Sequence, residues 1–143
     1  MGNKSLVVAN WKCNGGAELL RGYLKAFLEI DGTDVVVCPP VVFLSQLRAL
    51  IRKNVSLGAQ DLSAFEVGPH TGDISSEMIL ECGGTWTLIG HSERRALHRE
   101  SEAEIFQKLQ AAQRAGLKTI LCVGETLEDK KGGSAVEKGP GST

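Results

Sequence analysis

The sequence predicts an α/β protein built on a parallel sheet covered by helices. Three observations carry this. Short β-branched apolar runs alternate with amphipathic stretches along most of the chain. The strand-like runs are apolar at consecutive positions, as strands covered on both faces are, rather than at every second position. The spacing from strand to strand, about 20 to 32 residues, leaves room for one crossover helix each time.

Each element has its own reason. Leu6-Val7-Val8-Ala9 reads as a first strand buried on both faces, ending at Asn10-Trp11-Lys12 and broken by Gly15-Gly16. Leu20, Tyr23, Leu24, Phe27 and Leu28 form the stripe of a helix from Ala17, closed by Asp31-Gly32. Val35-Val36-Val37-Cys38 is a second strand, stopped by Pro39-Pro40. Leu44, Leu47, Leu50 and Ile51 mark a second helix with Arg48, Arg52 and Lys53 outside. Val55 to Gln60 is a weaker third strand. A loop of about 14 residues follows, to Ile74, and a connection that long is generally functional or disordered. Ser75 or Ser76 caps a third helix, Glu77 to Cys82, which Gly83-Gly84 closes. Thr85 to Ile89 is the fourth strand. Ser101 to Glu104 is a capping box whose helix buries Ile105, Leu109 and Ala112 with Phe106 alongside, before Gly116 stops it. Thr119 to Val123 is the fifth strand, ending at Gly124-Glu125-Thr126.

Composition excludes several classes. At 143 residues the chain holds one domain with ample core, and 42% apolar with 23% charged content is ordinary for a globular protein. A net charge of −1, with acids and bases interspersed, gives no footprint for nucleic acid or an anionic membrane. No run approaches a membrane span, and Leu6 to Ala9 is too short for a secretory apolar region, so a cytoplasmic protein is expected. Cys13, Cys38, Cys82 and Cys122 form no C-x-x-C and no zinc pattern with the three histidines; they read as buried cytosolic thiols.

Chemistry concentrates after the fourth strand, in Gly90-His91-Ser92-Glu93-Arg94-Arg95. An imidazole, a hydroxyl, a carboxylate and two guanidiniums there could join an acid–base group to anion-binding charge. Taken alone, the run also fits a solvated helix start. Asn10 and Lys12 follow strand 1 and Gln60 follows strand 3, so several strands place polar groups on one rim, as in a (β/α)8 barrel. An open doubly wound sheet remains the alternative on pattern alone. Its nucleotide-binding version, however, would carry a glycine-rich turn where Asn10 to Gly16 shows neither G-x-G-x-x-G nor a P-loop.

Five motifs in register resemble the triosephosphate isomerase family: Asn10-Trp11-Lys12, Gly58-Ala59-Gln60-Asp61, Thr71-Gly72-Asp73-Ile74-Ser75, Ile89 to Arg95, and Cys122 to Glu128. The resemblance implies a TIM barrel, a (β/α)8 fold truncated here after its fifth strand. Residues 1–131 would form that incomplete domain, and 132–143 a flexible Gly/Ser-rich tail. It implies interconversion of dihydroxyacetone phosphate and glyceraldehyde 3-phosphate through an enediolate, with no metal or organic cofactor. By the same resemblance His91 is a neutral imidazole electrophile and Lys12 the cation near the oxyanion and phosphate. Glu93 pairs with the lysine, Asn10 is an amide donor to substrate, and Ser92 lines the site. Thr71, Gly72 and Gln60 would touch a second subunit of a homodimer; His70 before Thr71 departs from the family's usual aromatic or small residue.

The family's carbon base, a glutamate after strand 6, has no counterpart in these residues, nor do the lid and the glycine-rich phosphate loops that follow. Glu137 lies in no strand-end context. The expectation is therefore a chain inactive alone, with bare edges at strands 1 and 5. The alternative is a non-catalytic short product that binds a full-length isomerase subunit. A different phosphate-binding barrel fits the Asn10, Lys12, His91, Glu93 set less well.

Overall fold

A computed structural model describes residues 5–27, 33–49, 51 and 54–123. The elements are β1 (Ser5–Asn10), α1 (Ala17–Phe27), β2 (Thr33–Cys38), a 3₁₀ turn at Val41–Phe43 leading into α2 (Leu44–Arg48), β3 (Val55–Ala59), α3 (Ser76–Glu81), β4 (Gly84–Ile89), α4 (Ser92–Leu97), α5 (Glu102–Ala115) and β5 (Lys118–Leu121). The helix-end residues Leu28, Asp31 and Gly32, the positions Leu50, Arg52 and Lys53, and Gly124 to Thr143 with the expected tail lie outside the described residues.

All five strands are parallel and stand in the order β1-β2-β3-β4-β5. A doubly wound sheet reverses its strand order at a switch point; this sheet winds in one direction, as a barrel does. The helix-side face carries two clusters. Val35, Val37, Leu44, Leu47, Val55 and Leu57 pack together with Trp11. Further along, Ala59, Ile79, Ile89, Ile105, Ala112 and Leu117 do the same. The opposite, inner face holds Val36, Cys38, Leu88 and Cys122, with Trp86 and Ile120 against them. Gly58 lies where β3 shifts register against β4. A Cβ there would stand 2.8 Å from Cys38 Sγ and 3.2 Å from Trp86 Cβ, so the close approach requires glycine.

Helix ends follow their local chemistry. Ser75 caps α3 by accepting from Met78 N at 3.2 Å, and Ser101 caps α5 by accepting from Glu104 N at 3.1 Å. Gly116 ends α5 at φ 87°, a left-handed cap.

Four expectations are corrected. Cys38 on β2 and Cys122 just past β5 are buried, but Cys13 is exposed on the loop after β1 and Cys82 is half-buried at the end of α3. β1 is not buried on both faces: Leu6, Val7 and Val8 are exposed, because β1 is an edge strand with β2 on one side only among the described elements. Phe106 is exposed, since the buried stripe of α5 runs through Ile105, Lys108, Ala111 and Ala112 instead. The second helix is a single short turn and a half, Leu44–Arg48, begun by the 3₁₀ turn after Pro40.

Candidate active site

The C-terminal ends of β1, β3 and β4 meet at one rim. β1 ends at Asn10, whose Oδ1 accepts from the backbone N–H of Lys12 at 2.9 Å, an Asx-type turn. Trp11 is buried beneath and donates its backbone N–H to Cys38 O at 3.0 Å. Gln60, just past β3, donates its amide to Lys12 O at 2.8 Å and to Cys38 O at 2.9 Å. These bonds hold Lys12 at φ 56°, a left-handed backbone for a residue with a side chain. Such a conformation costs on the order of 1–3 kcal/mol and persists where the surroundings over-determine it, which is commonly at functional sites.

β4 leaves the sheet at Gly90, φ 72°, and delivers His91 to the start of α4. His91 is buried and caps that helix with its own ring: Nδ1 accepts from Glu93 N at 3.1 Å. A ring nitrogen that accepts a hydrogen bond carries no proton, so this geometry selects the neutral imidazole with its proton on Nε2. On the first turn of α4, Glu93 reaches Lys12 Nζ at 2.6 Å. The lysine's hydrogen bond holds the Glu93 carboxyl below its ordinary value, slight burial opposing. Between these groups lies a cleft of about 210 Å³, lined by Asn10, Lys12, Cys13, Gln60, Asp61, His91, Glu93, Arg94, Leu97 and His98.

The structure thus brings Asn10, Lys12, His91 and Glu93 to one cleft. Ser92 stands exposed on the first turn of α4 and is not among the residues lining it. Thr71 and Gly72 are exposed on the long loop after β3, likewise away from the cleft lining. That loop is well organised: Ser63 N donates to Ile74 O, Ser63 Oγ to Asp73, and His70 stacks on Phe65 at 4.4 Å. Gln60 acts within the chain as the strut under Lys12.

A second polar group went unread in the sequence. Lys108 Nζ lies 2.9 Å from Asp61 Oδ1 and 2.7 Å from Glu100 Oε2, and Arg94 Nε lies 3.0 Å and 2.5 Å from Asp61 Oδ2 and Glu100 Oε2. Two cations and two carboxylates join the end of β3, α4 and α5 behind the cleft. Burial raises the Glu100 carboxyl, but bonds from Arg94 and Lys108 outweigh it and hold the group below its ordinary value. Asp61, on the same cations, is raised, burial outweighing them. The signal was available: Lys108 falls three residues after Ile105, on the apolar stripe of α5. Among the described residues no group of three or more His, Cys, Asp or Glu is arranged to hold a metal ion.

A one-directional parallel β/α sheet with a cation, an imidazole and an amide at the carboxyl ends of its strands is the arrangement of a β/α-barrel enzyme. The sequence profile described as triosephosphate isomerase matches residues 5–138. The chain is 42% identical over 134 residues to the triosephosphate isomerase of Alkalilimnicola ehrlichii, covering 91% of this chain and 54% of that one. It is 44% identical over 135 residues to that of Alcanivorax borkumensis, covering 94% and 55%. The crystal structure of the Bartonella henselae enzyme superposes with a TM-score of 0.84 at 38% identity, over 93% of this chain and 57% of that one. The chain belongs to the triosephosphate isomerase family, and its sheet is part of a TIM barrel. It spans about half the length of the curated relatives it matches.

Proposed function

We propose that residues 1–143 carry the electrophilic half of a triose-phosphate isomerase site, acting on dihydroxyacetone phosphate and glyceraldehyde 3-phosphate. The observation that carries this is the His91 ring. Its Nδ1 accepts from Glu93 N, which leaves Nε2 as the ring nitrogen that carries the proton toward a substrate oxygen. In the reaction a base takes the proton from one carbon and returns it to the next. Meanwhile the carbonyl oxygen gains a proton and the neighbouring hydroxyl loses one. A neutral imidazole can hydrogen-bond to both oxygens in turn, while the Lys12 ammonium offsets the charge that builds on them. Glu93 holds that ammonium in place, and the Asn10 amide supplies a further donor.

The carboxylates of the cleft, Asp61 and Glu93, are both committed to cations. Neither is placed to serve as the carbon base, and the family's base, a glutamate after strand 6, has no motif counterpart in these residues. Lacking it, the 143-residue chain loses a term of about 10²–10⁴-fold and isomerises triose phosphate negligibly by itself. A chimera in which residues 1–123 precede the remaining βα units of the Alcanivorax relative should interconvert the two triose phosphates. His91→Gln and Lys12→Ala should each abolish that turnover. Turnover by the 143-residue chain alone that rises with its concentration and vanishes in Lys12→Ala would overturn the half-site reading.

The organised loop, with Thr71 exposed on it, supports a second copy, or a longer isomerase subunit, as partner. Sedimentation of the chimera should give a dimer that Thr71→Arg weakens. The family and the ordinary surface charge support a cytoplasmic enzyme of triose-phosphate metabolism.

A further inference from the structure

Arg95 makes contacts that the reaction as described does not use. Its Nε donates to Gly90 O at 2.8 Å, and its Nη2 donates to Cys122 O at 3.3 Å. Its Nη1 pairs with Glu102, a carboxylate that is mostly in water and so adds little. The two carbonyls lie on neighbouring strand ends. Just before them the sheet is still closed, with Cys122 N donating to Ile89 O at 2.8 Å. At Gly90 the chain turns out of the sheet, and the guanidinium spans the two ends there. The packing is tight on that side: a Cβ on Gly90 would stand 3.0 Å from Arg95 Nη2 and 3.3 Å from Ile105 Cγ2.

The carbonyl of Gly90 belongs to the same peptide plane as the nitrogen of His91. Fixing that oxygen fixes the plane, and with it the direction in which the His91 side chain leaves the backbone. We propose that Arg95 is the positioning residue for His91. It holds the Gly90–His91 peptide against the end of β5, so that Nδ1 remains the acceptor for Glu93 N and Nε2 keeps the proton. This deepens the reading of His91 as electrophile and rests on it. A planar fork can bridge two carbonyls in one plane; a lysine offers one ammonium on a flexible stem and cannot reproduce it.

The test is the tautomer of His91, read by nitrogen-15 resonances of the histidine-labelled 143-residue chain. His91→Gln assigns the signal, and His70 and His98 serve as internal controls. In the unmodified chain His91 shows a single Nε2–H tautomer, and the Arg95 Nε–H exchanges slowly with water. In Arg95→Ala the His91 signal moves to the mixed-tautomer values of a solvated imidazole while His70 and His98 stay put. Arg95→Lys behaves as Arg95→Ala does, and millimolar guanidinium, not ammonium, restores the Arg95→Ala signal. An unchanged His91 tautomer in a folded Arg95→Ala chain, or full replacement by lysine, overturns the proposal. So does a rapidly exchanging Arg95 Nε–H in the unmodified chain, whether or not the variants fold. Failure of the electrophile reading itself shows differently: in the chimera, His91→Gln would leave turnover intact.

Discussion

At the scale of single residues, Lys12 joins strain to function. Its φ of 56° is comfortable only for glycine, yet the position needs an ammonium at the end of a long stem. Lys12→Gly should therefore be more stable than Lys12→Ala by about 1–2 kcal/mol in denaturant unfolding, although neither retains the cation. Equal stabilities would mean that the loop relaxes and the strain is not held. The ion pair makes a second prediction. Lys12 holds the Glu93 carboxyl below its ordinary value of 4.5, so the pair's contribution is present above about that pH and lost as pH falls through the lower folded value. A carboxyl-carbon titration should show Glu93 changing below its ordinary range, and Lys12→Met should move the transition upward. Asn10, Lys12, His91 and Glu93 were legible in the sequence because they sit at strand ends inside short motifs. The backbone strain at Lys12 and the guanidinium of Arg95 were not, because each depends on atoms 22 to 48 residues apart, such as Gln60 beneath Lys12 and Cys122 beside Arg95.

At the scale of elements, the charged cluster behind the cleft decides how α4 and α5 sit against the end of β3. Lys108 is nearly buried among Asp61 and Glu100. Lys108→Met would leave two enclosed carboxylates with Arg94 as their one cation within this cluster. Breaking one member of such a pair costs about 3–5 kcal/mol, and urea unfolding of the variant should show a loss of that order. Adding Glu100→Gln should recover part of it; a second loss of full size would mean that the two residues do not act together. Helix caps were readable from local signals, because Ser75, Ser101 and Gly116 act on neighbours three or four residues away. Strand order was not, because the alternation of strands and helices alone fits an open doubly wound sheet as well as a barrel. The burial of Lys108 had a signal in its place three residues after Ile105, but the exposure of Phe106 did not, because periodicity gives the stripe of α5 and not which side of a residue-wide margin faces the sheet.

At the scale of the whole molecule, the sheet has two open edges among the described elements. In the β1–β2 register Val7 stands beside Val35 on the helix side, while Leu6 and Val8 lie on the inner face with Val36. All three of these β1 residues are exposed, at 46% for Leu6, 45% for Val7 and 36% for Val8, and Leu121 on β5 is 42% exposed. Unpaired backbone groups beside apolar side chains are a template for further strands. The 143-residue chain is therefore expected to bind a hydrophobic dye and to sediment as concentration-dependent oligomers. Val8→Lys, which puts a charge on the inner face of the edge strand, should reduce both without touching the cleft. The chimera that supplies the remaining βα units should abolish dye binding, because new strands would pair with β1 and β5 and cover the inner face. A cooperative melt of a dye-free monomer of the 143-residue chain would contradict this, and would mean that the inner face is covered by the chain's own residues.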